Sequence, residues 1–257
     1  MFLSPGRPKT KSGPLGGQRT LRSKGSVGVF FDGARGYARG MSISPSQPPL
    51  SLPADSLARL RALTAGGQRK LLGLVGAPGA GKSTLAALLR DALGAERAQV
   101  VPMDGFHLAN VELRRLGRAD RKGAPDTFDS AGYVALLQRL REQRPGGDIV
   151  YAPEFRREIE EPVAGAIAVL PETQLVITEG NYLLHDTGPW AGAAALLDEV
   201  WYVDIDDALR EARLVRRHEQ FGRSAEAARA WVAQTDAPNA RLIAATRARA
   251  HHVVVLS

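Results

Sequence analysis

No cysteine occurs among the 257 residues of the sequence. That absence removes disulfides, thiolate metal sites and cysteine nucleophiles together, and it is compatible with a reducing cytoplasm, the expected location. No run approaches the ~18 consecutive apolar residues that a bilayer-spanning helix needs, so a membrane protein is not expected. Acid is almost missing from the first forty residues. They carry eight basic side chains (Arg7, Lys9, Lys11, Arg19, Arg22, Lys24, Arg35 and Arg39) against one carboxylate, Asp32. That stretch holds the whole formal charge of +7, which leaves the rest of the chain neutral and argues against a nucleic-acid partner.

The basic stretch is rich in Gly, Ser and Pro and has no sustained apolar period, a composition that predicts disorder. Three readings compete for it: a transit-like segment, a nucleic-acid-binding arm, or sequence upstream of a start at Met41. The compositional break favours the last. Residues 1–55 are therefore expected to form a tail and lead-in, and residues 56–257 a single domain.

From Ser56 onward short apolar runs alternate with longer stretches of helical period. Leu71–Val75, Gln99–Pro102, Ile149–Ala152, Leu175–Thr178, Val200–Val203 and Val253–Leu256 read as strands. Lys82–Leu93, Ala131–Glu142, Ala208–Phe221, Ala225–Gln234 and Pro238–Arg249 read as helices. Residues 117–129 and 153–165 are rich in Gly, Pro and charge and read as loops. The pattern predicts a three-layer α/β domain with a mainly parallel sheet.

Between the first strand and the first helix lies Gly76-Ala77-Pro78-Gly79-Ala80-Gly81-Lys82-Ser83, followed by Thr84, which fits G-x-x-x-x-G-K-[ST]. Its glycines let successive backbone N–H groups turn inward around phosphate oxygens, and the following helix N-terminus adds its positive dipole end. Lys82 is then expected to bridge the β- and γ-phosphates of ATP, and Ser83 to join Mg²⁺. The motif alone leaves a kinase, an ATPase motor and a GTPase switch open. No N-K-x-D-like guanine-reading segment is found, which weakens the third.

Two acids follow strands in the same way. Val100-Val101-Pro102-Met103-Asp104-Gly105-Phe106-His107 sets Asp104 at a strand end, where a carboxylate can take the proton of an attacking hydroxyl. The competing reading is a side chain that closes an Asp-Gly turn. Leu175-Val176-Ile177-Thr178-Glu179-Gly180-Asn181-Tyr182 delivers Glu179 likewise, either to hold a Mg²⁺-bound water or as a surface carboxylate. A later helix carries Arg210, Arg213, Arg216 and Arg217; Arg213 and Arg217 share a face and form either a clamp on phosphoryl groups or a solvated surface paired with Glu211 and Glu219. His107 could meet substrate or pack on Phe106. His251-His252 lacks a third metal ligand, and Trp190, Trp201 and Trp231 read as packing.

Taken in order, GAPGAGKST, VPMDGFH, RKGAPDTFD, ITEGNYLL and the Arg-rich helix resemble the phosphoribulokinase and uridine kinase superfamily over roughly residues 56–257. The Met-Asp-Gly-Phe-His and Lys-Gly-x-Pro segments are similar to type I pantothenate kinases. The overall pattern is nearest a nucleoside/nucleotide kinase group that includes proteins associated with fructose transport. The resemblance implies a P-loop fold with a helical lid. It also implies a kinase that moves the γ-phosphoryl group of Mg·ATP to a hydroxyl of a small metabolite. It further implies Asp104 as base, Lys82 and Ser83 on nucleotide and Mg²⁺, Glu179 as the second acidic motif, and Arg213 and Arg217 in the lid. Asn239, within Asp236-Ala237-Pro238-Asn239, falls near the adenine. Arg121, Lys122, Asp126, Asp129, Tyr151 and Phe155 line the acceptor side, and Asn181 joins them as a substrate candidate. Relatives that dimerise leave room for a homodimer. Two departures stand out: the chain is shorter than a full type I pantothenate kinase, and Arg156 stands where similar proteins often have an acid. The rival expectation is an ATP-binding regulator that acts through a protein partner, for which Asp104 would be dispensable.

Overall fold

The computed structural model describes residues 51–256, so the basic stretch and Met41 lie outside the described residues. Five parallel strands form one sheet: β1 (Lys70–Val75), β2 (Ala98–Pro102), and three further strands, Leu175–Gly180, Glu199–Asp204 and His252–Val255, which are β5, β6 and β7 after a separate pair, β3 (Val150–Arg156) and β4 (Glu161–Val169). Their order across the sheet is β2-β5-β1-β6-β7. The sheet strands read as near-continuous apolar runs because both faces are covered. Alternate residues point to opposite faces. Leu72, Leu74, Ile177, Trp201 and Val203 face α1 (Ala54–Thr64) and α2 (Lys82–Leu93) through Leu60, Leu85 and Leu89. Leu71, Val75, Val176 and Tyr202 face Tyr133, Leu136 and Leu137 across the other layer. Each of these leucines contributes on the order of 1.5–3 kcal/mol by leaving water.

The second layer is shorter. After β2 come a 3₁₀ turn, Met103–Phe106, the helix α3 (Asn110–Arg115), and α4 (Ser130–Glu142). The C-terminal helices are α5 (Asp207–Gln220), α6 (Ala225–Trp231) and α7 (Ala237–Ala244), the last two joined by a π-helical turn at Val232–Asp236. No helix among the described residues is long and apolar enough to cross a membrane.

Three expectations are corrected. Ile149–Ala152 was expected as a strand of the main sheet and 153–165 as loop; instead β3 and β4 form an antiparallel hairpin apart from the parallel sheet. Pro153, which has no N–H to give, sits where the register shifts between Ala152 and Glu154, so the strand runs on past it through an irregularity. The expected helix Pro238–Arg249 ends at Ala244 and gives way to a 3₁₀ turn at Arg247–Arg249. The helix α1 begins inside the expected lead-in, at Ala54.

Candidate active site

β1 pairs with β5 on one side and β6 on the other, and β5 pairs with β2, so three chain segments leave the sheet together at the carboxyl ends of their strands. Val75 is level with Gly180, and Glu179 with Pro102. The phosphate loop, Asn181 and Asp104 therefore emerge side by side, in the crevice where open parallel sheets take ligands.

In the loop, Gly79 has φ +81, a conformation that side chains avoid, and a Cβ there would lie 2.8 Å from Leu214 of α5. The loop is thus shaped for close backbone approach and is roofed by the Arg-rich helix. The Lys82 ammonium is buried and donates to the carbonyls of Gly76 (2.9 Å) and Ala77 (3.2 Å) and to Asn181 Oδ1 (2.8 Å). Asn181 lies beside the loop lysine, on the nucleotide side of the crevice. The Ser83 hydroxyl donates to Glu179 Oε1 at 2.8 Å. Thr84 follows in the first turn of α2.

Burial and the neighbouring Asp104 raise the Glu179 carboxyl above its ordinary value, against the opposing pull of Lys82 and Ser83. Burial lowers Lys82, and Glu179 and Asp104 oppose it. Burial pushes Asp104 upward, yet His107, Arg157, Lys82 and Arg217 together hold it below the ordinary carboxylate value. A carboxylate so placed stays ionised and available to accept a proton. Ser83 and Glu179 offer two oxygen donors, and among the described residues no group of three or more His, Cys, Asp or Glu side chains comes together. That donor set fits Mg²⁺, which binds few protein oxygens and fills its shell with water and phosphate.

The turn that carries Asp104 is held on several sides. His107 Nδ1 donates to the Asp104 carbonyl at 2.7 Å, and the His107 ring lies between Phe128 (centroids 4.0 Å apart) and Phe155 (4.7 Å). Gly105 packs against Pro153 so closely that a Cβ would enter the Pro153 carbonyl. The β3–β4 hairpin is thereby fixed to the turn that carries Asp104.

The acceptor-side candidates divide. Phe155 stacks on His107 and lies 5.0 Å beneath the Lys122 ammonium, which also donates to Asn110 Oδ1 and the Glu160 carbonyl. Asp126 pairs with Arg121 (2.8 Å) and Arg118 (3.3 Å). Asp129 caps α4, accepting from Gly132 N at 2.8 Å, and its own N–H donates to the Phe106 carbonyl of the Asp104 turn at 2.8 Å, so its carboxylate is engaged by the cap; Tyr151 is 55% exposed on the strand face opposite buried Ala152. Asn239, expected near adenine, is buried and donates to the Gly123 carbonyl at 3.4 Å, which also accepts from the Tyr182 hydroxyl. It thus meets the Lys-Gly-x-Pro loop. Burial, and then the charge of Arg157, lower the Arg217 guanidinium against the opposing charges of Asp236, Asp104 and Glu179, while Arg213 is half-buried one turn earlier with no side-chain hydrogen bond or ion pair among the described residues.

Sequence reasoning missed Arg157, whose Nη2 lies 3.6 Å from Asp104 Oδ2. Asp236, expected only as part of the segment near the adenine, instead meets His218 Nε2 at 2.9 Å. A basic pair inside a charged turn carries no signal of which arginine points inward.

The profile of the phosphoribulokinase/uridine kinase family matches residues 71–256. A protein of Schizosaccharomyces pombe named as a candidate uridine kinase is 39% identical over 159 residues, which span 59% of this chain and 67% of that one. A pantothenate kinase of Leifsonia xyli is 35% identical over 140 residues, spanning 52% and 42% of the two chains. Among solved structures, a candidate fructose transport system kinase from Silicibacter sp. TM1040 superposes with a TM-score of 0.69 at 41% identity, covering 77% of this chain and 98% of that one.

Proposed function

Since the chain belongs to the phosphoribulokinase/uridine kinase family and is a P-loop kinase, we propose that it transfers the γ-phosphoryl group of Mg·ATP to a hydroxyl of a small metabolite of the nucleoside, pantothenate or sugar type. The observation that carries this reading is the convergence of Asp104 with Lys82, Ser83 and Glu179 at the ends of adjacent strands. The backbone of residues 76–83 and the Lys82 ammonium would hold the phosphates, and Lys82 would then exchange its loop carbonyls for phosphate oxygens. Ser83 and Glu179 would hold Mg²⁺ directly or through water, and the ion would supply charge neutralisation on the β- and γ-phosphates. Asp104 would accept the hydroxyl proton, and Arg217, with Arg213 beside it, would face the group in transfer.

The test is ADP release from Mg·ATP by the full chain with pantothenate, uridine, cytidine, fructose, ribose and their monophosphates. Stimulation by one of them, lost in Asp104→Asn, is the expected result. ATP binding with no stimulation by any acceptor, and no effect of Asp104→Asn, would point to the regulatory alternative.

A further inference from the structure

Arg157 stands on the turn of the β3–β4 hairpin, and its guanidinium is 42% exposed. Its one ion pair among the described residues is the 3.6 Å approach to Asp104 Oδ2. That distance is too long for a hydrogen bond, so the five N–H donors of the fork are unengaged there. A guanidinium built to fix a carboxylate takes it bidentately at about 2.7–2.9 Å. The neighbouring Arg156 does pair closely, with Glu154 at 2.8 Å. Arg157 is therefore near the base without being spent on it.

The charge of Arg157 bears on Lys82, Glu179 and Arg217 as well as on Asp104. These four groups mark the loop lysine, the second acid, the roof helix and the base. Arg157 stands on the hairpin turn and Arg217 on α5, and the charge of each bears on Asp104, which Arg157 approaches to 3.6 Å.

We propose that Arg157 is a second clamp on the transferring phosphoryl group, reaching it from the acceptor-side hairpin as Arg217 reaches it from α5. The inference rests on the kinase reading above. In the step, the acceptor oxygen forms a bond to the γ-phosphorus, the bond from that phosphorus to the β,γ-bridging oxygen breaks with its electron pair leaving on ADP, and the hydroxyl proton passes to Asp104. Asp104 becomes neutral as the new phosphate ester gains charge beside it. Arg157 loses its counter-charge on one partner and recovers it on the other without moving far. The fixed hairpin, held at Gly105 and by the Asn110 N–H donating to Glu161 Oε2 at 3.0 Å, is what makes that placement repeatable.

The experiment is the affinity of the full chain for Mg·ADP with and without aluminium fluoride, which mimics the phosphoryl group in flight, for wild type, Arg157→Ala, Arg157→Gln, Arg157→Lys and Arg156→Ala. Wild type and Arg156→Ala should bind Mg·ADP more tightly with fluoride. Arg157→Ala and Arg157→Gln should lose most of that tightening, about 10²–10³-fold, with Mg·ADP affinity unchanged. Arg157→Lys should recover little of it, because a point charge lacks the planar fork. Full tightening in Arg157→Ala, equal loss of both affinities, or no tightening in wild type would each overturn the inference. Acceptor-stimulated ADP release by wild type, measured in parallel, decides the kinase reading separately, so the two can fail independently.

Discussion

The Ser83 hydroxyl donates to the Glu179 carboxylate at 2.8 Å across 96 positions of sequence. One residue opens the helix after the phosphate loop and the other ends the strand beside it, so the contact reports that β1 and β5 are in register. Their oxygens are the pair that the proposed function assigns to Mg²⁺.

That pairing sets a first expectation. Glu179→Gln keeps the shape and removes the charge, so it should raise the Mg²⁺ concentration needed for half-maximal ATP turnover. Ser83→Ala should shift it in the same direction. Titrations of Mg²⁺ at fixed ATP measure both, and an unchanged midpoint in Glu179→Gln would exclude Glu179 from the ion.

Asp104→Asn should lower kcat with the stimulating acceptor by about 10²–10⁴-fold while leaving Mg·ATP affinity as it is. Single-turnover kinetics and nucleotide titration separate the two quantities. Lys82→Ala should act on both, since its ammonium sits within the loop proposed to hold the phosphates.

Gly105→Ala should lower stability by about 1–3 kcal/mol, because the added methyl meets the backbone of Pro153 rather than a side chain that can turn away. Gly66→Ala, with open space around its Cβ, is the control and should change the melting temperature little. Equal melting curves for the two variants would show that the hairpin moves freely against the base turn.

Burial holds the His107 imidazole below its ordinary value of 6.5, against the opposing influence of Asp104. The neutral ring therefore contributes stability that is fully present above pH 6.5 and is lost as pH falls toward the depressed folded value. His107→Phe preserves the stacking on Phe128 and Phe155 and should flatten this part of the melting temperature against pH. A slope unchanged between pH 5 and 7 would assign it to other groups.

The nucleotide half of the site was legible because its chemistry is local. Gly76 to Ser83 lie in one stretch, and Asp104 and Glu179 each follow an apolar run that fixes where they emerge. The acceptor half was not, because it depends on the hairpin. Glu158, Glu160, Glu161 and Pro153 give that segment the composition of a loop, and its strands hold together through burial of Val150, Ala152, Ile167 and Val169 against the core. The choice of Arg157 over Arg156 as the inward arginine, and the contact of Asn239 with Gly123, come from packing between segments far apart in the chain.

The strand order has a consequence for assembly. β5 is inserted between β1 and β2, so the phosphate loop and the base turn, close together in the first half of the domain, lack the strand that joins them until the chain is complete past Gly180. Such non-local pairing is slow, because chain closure must precede its reward. On a ribosome, a nascent chain that ends before β5 exposes the edges of β1 and β2 and has no second acid, so ligand capture can begin only after most of the domain has emerged.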